Sequence, residues 1–117
     1  MMLGAVTRKL NRDTGARKAL FRDLVGALIT HGRVETTLAK AKETKKVADI
    51  VVDLALRGDI NSRRRARRLI IDPNVLNRLF KEVAPKFQKG RGGYTRILRT
   101  RARRGDAAEM AFVEFVE

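Results

Sequence analysis

The sequence predicts an α+β fold in which four helices pack on a small three-stranded mixed sheet. Apolar residues recur at steps of three and four over most of residues 13–83, the spacing of one buried helix face. Two segments near the C-terminus, 94–101 and 109–116, are instead rich in strand-forming residues and predict an antiparallel hairpin. A third, short extended segment at 33–36 is expected to join an edge of that hairpin, because two strands alone are marginally stable.

The first helix is expected to begin at a cap on Asp13 or Thr14 and to continue to about Thr30. Gly32 is expected to stop it, since glycine adopts the left-handed conformation without steric strain. Gly26 weakens the helix by about 1 kcal/mol relative to alanine, which close approach of another backbone would explain. The predicted buried face comprises Ala16, Leu20, Phe21, Leu24, Val25, Leu28 and Ile29.

The second helix is predicted over residues 38–56, with the hydroxyl of Thr36 or Thr37 as its N-terminal cap and Gly58 as its stop. Its first half, to Lys46, is rich in lysine and is expected to face outward or toward a partner. Its second half is almost wholly apolar apart from two aspartates and is expected to be buried.

A third helix is predicted over residues 60–71 and a fourth over 74–83. Asp72-Pro73 separates them, because aspartate caps a helix and proline favours its first position. Pro85 is expected to close the fourth helix, since the residue before a proline is disfavoured in helical conformation.

Charge restricts the class of partner. The 117 residues include 27 Lys and Arg against 13 Asp and Glu, a net charge of +14. Such a field attracts polyanions, and nucleic acid is the leading candidate because neutralising phosphates releases counterions. No basic amphipathic helix with bulky anchors, acylation signal or run of about 18 apolar residues is evident, so no membrane partner is expected. The chain is therefore interpreted as soluble and intracellular.

Little in the sequence indicates catalysis. There is no cysteine and one histidine, which excludes disulfides, thiolate metal sites and cysteine nucleophiles. Asp49 and Asp53 share a helix face and could hold a metal, but nothing nearby completes such a site. We expect no enzyme activity, no metal, no cofactor and no small-molecule substrate.

Basic clusters identify candidate phosphate contacts. The third helix carries Arg63, Arg64, Arg67 and Arg68 on one arc, with Arg65 beside them. Their mutual repulsion destabilises an isolated helix, and a nearby polyanion would remove that penalty. The N-terminal string RKLNR predicts a basic arm over residues 1–12 that orders against phosphate, with a frayed and solvated terminus as the alternative. One α+β domain is predicted to follow over residues 13–117.

An alternative is a basic DNA-binding regulator of the helix-turn-helix type. The third and fourth helices, with their break at Asp72-Pro73, loosely fit that motif. The order is unfavourable, because the arginine-rich helix comes first whereas the recognition helix of the motif comes second.

Several strings resemble, in order and spacing, the bacterial large-subunit ribosomal protein family seventeen. They are RKLNR, THGRVETTLAKAKE, ALRGD, EVAPKF and RGGYTRILRTRARRGD, followed by an acidic and apolar final strand. The resemblance implies a ribosome-bound cytoplasmic protein that binds 23S-type ribosomal RNA near the peptide exit region. It also implies neighbouring large-subunit proteins as partners, no stand-alone homo-oligomer, and a three-stranded α+β fold. The family usually carries glycine where this chain has Thr7.

The resemblance carries over RNA-facing positions in the arm, around the 33–36 segment and at the second glycine-rich turn. These are Arg8, Lys9, Asn11, Arg12, Arg33, Thr36, Thr37, Lys40, Lys42, Gly92, Gly93, Tyr94, Thr95 and Arg96. Charge adds Arg17, Arg63, Arg64, Arg67, Arg68, Arg103 and Arg104. Most contacts should go to phosphate and sugar, with Tyr94 or arginine planes stacking on unpaired bases. Two alternatives stay open: Tyr94 packs on the core, and the paired threonines serve capping or strand formation.

Overall fold

Four helices and three strands form the α+β fold that the sequence predicts. The computed structural model describes residues 14–87 and 93–116, with side chains from residue 19 onward. Its elements are α1 (Thr14–His31), β1 (Arg33–Thr37), α2 (Leu38–Arg57), α3 (Ile60–Leu69), α4 (Pro73–Arg78), β2 (Thr95–Ala102) and β3 (Glu109–Phe115). The predicted cap on Asp13 lies outside the described residues.

The sheet has the strand order β1-β3-β2. Val113 of β3 pairs with Val34 of β1 on one side and with Ile97 of β2 on the other. The expectation that the short first strand lies at an edge of the hairpin is confirmed. The predicted mixed character is wrong, because both pairings are antiparallel. The direction of β1 depends on how α1 and α2 carry the chain across the sheet, a tertiary constraint that strand patterns do not contain.

Helix α2 lies across one face of the sheet and contacts all three strands. Val51, Val52 and Val113 are almost completely buried where α2 meets β3. Phe21 and Leu28 of α1 are fully buried beside them. The core is therefore mainly aliphatic, and the second face of the sheet is left without a covering helix among the described residues.

Glycine stops end α1 and α2 as predicted. Gly32 has a φ of +83° and donates its N–H to the carbonyl of Leu28 at 2.8 Å. Gly58 has a φ of +68° and donates to Leu54 at 3.2 Å. At Gly26 an added Cβ would meet nothing within 4 Å, so close backbone packing does not explain that glycine.

The helix starts are only partly as predicted. Asp72 caps α4 by accepting a hydrogen bond from the N–H of Asn74 at 2.9 Å, with Pro73 following. Thr37 occupies the N-cap position of α2, but its hydroxyl makes no capping hydrogen bond, so that prediction is wrong. Helix α3 ends earlier than predicted, because the extended backbone of Ile70 directs that side chain into the core.

The predicted fourth helix is α-helical only to Arg78. It continues as a π-helical turn over Leu79–Val83 and a 3₁₀ turn over Ala84–Lys86. Pro85 accounts for the change, because it lacks an N–H and its ring clashes with the carbonyl four residues earlier in an α-helix. The helical path closes at Phe87, which is extended.

The first half of α2 is less exposed than its lysines suggest. Ala41, Glu43 and Thr44 are fully buried. The Thr44 hydroxyl donates to the carbonyl of Lys40 at 2.7 Å, while Glu43 lies 3.4 Å from the ammonium of Lys46. The expectation that this half faces outward therefore holds for Lys42 and Lys46 and is wrong for Ala41, Glu43 and Thr44.

Candidate nucleic-acid interface

The outer face of α3 carries the densest positive charge in the described structure. Ala66 and Leu69 turn inward and are buried. Five arginines turn outward and are exposed: Arg63, Arg64, Arg65, Arg67 and Arg68. In the parts of the chain that are described, none of the five has a carboxylate within ion-pair distance. We call these five residues the α3 arginine face.

Neighbouring elements hold this face in place. Arg22 of α1 donates to the carbonyl of Arg68 at 3.1 Å, which puts a cation at the C-terminal end of α3 where the helix dipole favours it. The guanidinium of Arg63 lies 5.2 Å from the centroid of the Phe80 ring. At the other end, the Ser62 hydroxyl is the main cause of the lowered pKa of Asp59, which precedes the helix. The carboxylate is therefore ionised where the N-terminus favours negative charge.

A second group of cations lies around β1 and the start of α2. Arg33 is exposed, and its guanidinium is 3.6 Å from the centroid of the Phe112 ring. Lys42 is exposed and Lys40 is half-buried. Lys45, by contrast, is paired with Asp49 at 2.8 Å and contributes little net field.

The predicted site residue Arg96 is already paired within the molecule. Its Nε lies 2.6 Å from Glu114 on the face of the sheet opposite α2. On the same face, Glu35 accepts hydrogen bonds from Thr100 at 2.9 Å and from Arg101 at 3.1 Å. An irregularity in β2 makes this possible, because a bulge places two successive side chains on one face. Two of the arginines on the outer sheet face, Arg96 and Arg101, are therefore already paired with acids.

The two predicted arginines in the turn between β2 and β3 differ in pairing, since Arg103 binds a carboxylate of the turn and Arg104 does not. Arg103 donates from its Nε to Asp106 at 3.2 Å. This contact, with the N–H of Ala108, lowers the pKa of Asp106 to about 2, and Asp106 in turn raises the pKa of Arg103. Arg104 is exposed without a carboxylate partner among the described residues. Arg103 thus stabilises the turn, while Arg104 is free to meet a phosphate.

Tyr94 and Thr95 lie inside the molecule, which corrects their prediction as RNA contacts. Tyr94 is 1% exposed and packs edge-on against Phe87, with 5.3 Å between ring centroids. Its hydroxyl is 3.4 Å from Asp53. Thr95 is buried, and its N–H and hydroxyl both donate to Asp49, at 3.2 and 2.9 Å. The two aspartates considered for a metal therefore anchor the start of β2.

The remaining predicted positions divide by exposure. Thr36 is buried between α2 and the sheet, so its side chain is not available to RNA. Thr37 is half-buried, and Gly93 is exposed with a φ of +57°. Several predicted positions lie outside the described residues or have side chains outside them: Arg8, Lys9, Asn11, Arg12, Arg17 and Gly92.

Two exposed arginines without a carboxylate partner among the described residues were not predicted as site residues. Arg65 lies on α3 between predicted members, and Arg99 lies on β2 with no carboxylate partner in the part of the chain described. Arg65 contributes to the same mutual repulsion as its four neighbours, so that signal could have identified it. No sequence signal identifies Arg99, because it is left unpaired only when Glu35 and Glu114 bind other residues of β2 in the folded sheet.

The described residues contain neither a membrane-spanning helix nor a candidate metal site. Across residues 14–87 and 93–116, no helix is long and apolar enough to span a membrane. Over the same ranges, no three acidic, histidine or cysteine side chains gather into a group that could hold a metal ion.

Comparison with known proteins yields one family. The sequence profile of the family described as Ribosomal protein L17 matches residues 20–116. The large ribosomal subunit protein bL17 of Clostridioides difficile (strain 630) is 48% identical over 109 residues, covering 93% of this chain and 96% of that protein. The protein of the same name from Symbiobacterium thermophilum is 50% identical with the same coverage. That of Clostridium botulinum (strain Hall) is 46% identical.

Proposed function

The chain belongs to the ribosomal protein L17 family, and we propose that in the large subunit it binds and helps fold ribosomal RNA near the peptide exit region. Membership makes it a structural component of the ribosome rather than an enzyme. The RNA contacts, their location and the residues that make them are the proposal.

The α3 arginine face is the observation that carries the RNA contact. Five guanidinium groups on one ten-residue helix repel one another and have no internal carboxylate among the described residues. Phosphates of RNA would supply the missing counter-charge, and each contact would release condensed counterions. Arginine suits this task because its planar fork donates to phosphate oxygens in pairs.

Exposure and pairing narrow the set of contact residues. The proposed contacts are those predicted cations that are accessible and not already paired: Arg33, Lys40, Lys42, Arg63, Arg64, Arg67, Arg68 and Arg104, together with Arg65 and Arg99. Contacts to phosphate and sugar would set position, while the shape of folded RNA would supply specificity. Arginine planes, rather than the buried Tyr94, would stack on unpaired bases.

The remaining elements of the proposal rest on the family resemblance and on charge. They are a location near the peptide exit, 23S-type RNA and adjoining large-subunit proteins as partners, and a cytoplasmic setting. We include a basic arm over residues 1–12 and one RNA-binding domain over 13–117. The core cluster that extends from Phe21 to Val113 supports a single domain.

Sedimentation of a tagged full-length chain from cell extract tests the proposal. The wild type should co-sediment with the large subunit and stay there through a moderate-salt wash. A variant in which Arg64, Arg67 and Arg68 are glutamate should shift to the ribosome-free fraction while remaining folded. A matched triple Glu variant of Arg57, Arg78 and Arg101, each already ion-paired, controls for net charge. Recovery of the wild type only in the ribosome-free fraction would overturn the proposal.

The DNA-binding alternative has no specific support in the structure. The α-helical part of α4 is only the six residues Pro73–Arg78, too short for a recognition helix that spans a major groove. A tight preference for duplex DNA over ribosomal RNA at matched salt would reinstate it.

A further inference from the structure

A groove between α3 and α4 combines apolar and cationic walls. Its volume is about 630 Å³, and its lining includes Leu76 and Phe80 at the base with Ile60 and Ile71 at the edges. Ile60 is 69% exposed and Ile71 is 67% exposed, the two most exposed large apolar side chains among the described residues. Isoleucines this exposed beside an arginine cluster indicate a surface that is covered in the assembled state.

One of the arginines that line the groove is held by a contact with the Phe80 ring. Arg63, Arg64 and Arg67 line one side, at helical spacing with Ile60. The guanidinium of Arg63 lies against the Phe80 ring, so a flat cation is presented beside an aromatic surface. Asn74 and Asn77 line the opposite side, are exposed, and carry amide groups that can donate and accept.

We propose that this groove receives a single unstacked base of the bound RNA, with the flanking phosphates on Arg64 and Arg67. The proposal rests on the proposed function and adds a ligand class and a site to it. The base would lie over Leu76 and Phe80 between Ile60 and Ile71 and stack beside the Arg63 guanidinium, while its edge would meet an asparagine amide. Unpaired bases splayed from folded RNA are recognised by this combination of stacking, edge hydrogen bonds and backbone charge.

The composition of the groove favours RNA over an acidic peptide. Its lining includes three arginines, two amides and no carboxylate, so the chemistry matches a nucleotide at each part: base face, base edge and phosphate. An acidic segment of a neighbouring protein would use the arginines but leave the amides and the Arg63–Phe80 pair without a matched partner. If an acidic protein segment fills the groove instead, the test below gives a crosslink to a protein.

Site-specific photo-crosslinking in assembled large subunits tests the proposal. A benzophenone side chain would replace Ile71 in one full-length variant and Arg64 in a second. In a control variant it would replace Leu98, an exposed residue of β2 that does not line the groove. The expected result is a crosslink from Ile71 to one ribosomal RNA nucleotide that is unpaired, at several-fold higher yield than from Leu98. Arg64 should crosslink to an adjacent nucleotide.

The alternative results are distinct. A crosslink from Ile71 to a protein, to a base-paired nucleotide, or no crosslink above the Leu98 control overturns the groove proposal. If Arg64 still reaches RNA in that case, the proposed function stands. If all three variants and the wild type fail to enter large subunits, the proposed function fails, and the groove proposal fails with it.

Discussion

At the scale of single residues, carboxylates divide the cations into paired and free ones. Glu35, Glu114 and Asp106 each hold an arginine of the sheet region, whereas the arginines of α3 have no such partner in the described structure. The sequence shows how many cations exist but not which are paired, because pairing depends on strand register and on the bulge in β2. Arg96 was predicted from the family resemblance and Arg103 from charge, and neither source contains their pairing with Glu114 and Asp106.

Asp49 is predicted to be structural. Replacing Asp49 with alanine removes the acceptor for the buried N–H and hydroxyl of Thr95 and for Lys45. The free energy of unfolding should fall by about 1–3 kcal/mol, because buried donors would lose their partner. Urea unfolding measures this, and Asp23→Ala, an exposed aspartate on α1, should change stability by no more than about 0.5 kcal/mol. An Asp49→Ala chain of unchanged stability that loses Mg²⁺-dependent RNA cleavage would contradict this assignment.

The β2–β3 turn should depend on pH through Asp106. Its pKa is lowered from 3.8 to about 2 by Arg103 and by the N–H of Ala108. A depressed folded-state pKa stabilises the fold above the ordinary value and loses that contribution as the pH falls through about 2. Asp106→Asn should therefore lower Tm at neutral pH, and the difference from wild type should shrink between about pH 4 and pH 2.

The matched control for the turn is Glu109→Gln, an exposed acid at the start of β3 with no ion pair among the described residues. Its Tm should follow the wild type across this range. A Tm difference for Asp106→Asn that is constant with pH would show that the carboxylate charge does not stabilise the turn.

At the scale of elements, chain breaks were predictable and conformational details were not. The stops at Gly32 and Gly58 and the cap at Asp72 follow from local stereochemistry, so the sequence contains them. The π-helical turn after Arg78 arises from the conflict between Pro85 and continued core packing, which no residue pattern displays. The burial of Glu43 within a lysine-rich segment likewise depends on neighbouring elements rather than on the periodicity of α2.

Gly26 within α1 and Gly32, the residue after its end, should respond oppositely to alanine. Gly26→Ala should raise the free energy of unfolding by about 0.5–1 kcal/mol, since alanine favours the helix and its Cβ meets nothing within 4 Å. Gly32→Ala should lower it by about 1–2 kcal/mol, because a Cβ is strained at a φ of +83°. Thermal and urea unfolding of both variants give the comparison. A destabilising Gly26→Ala would contradict the open space around the Cβ position of Gly26.

At the scale of the whole molecule, charged side chains that pair within the fold are separated from the arginines of α3, which have no carboxylate partner among the described residues. Helix α2 ties the three strands together through buried valines and through the aspartates that hold Tyr94 and Thr95. The largest group of arginines without a carboxylate partner in the described part of the chain lies on α3, whose inner face completes the core. The net charge predicts a nucleic-acid partner, and the spacing of the arginines predicts that the densest positive charge lies on α3. The sequence could not separate that face from the paired arginines of the sheet, because pairing is a property of the folded surface.

The salt dependence of RNA binding tests this separation most directly. Two double variants with equal loss of charge would be compared with wild type: Arg64→Ala with Arg67→Ala, and Arg96→Ala with Arg101→Ala. Binding to transcribed large-subunit ribosomal RNA would be measured across a salt series, and log Kobs plotted against log salt. Loss of the two α3 arginines should reduce the slope by about 2, roughly 1 for each lost phosphate contact. Loss of the two paired arginines should leave the slope close to that of wild type, and equal slope changes in the two variants would contradict the account.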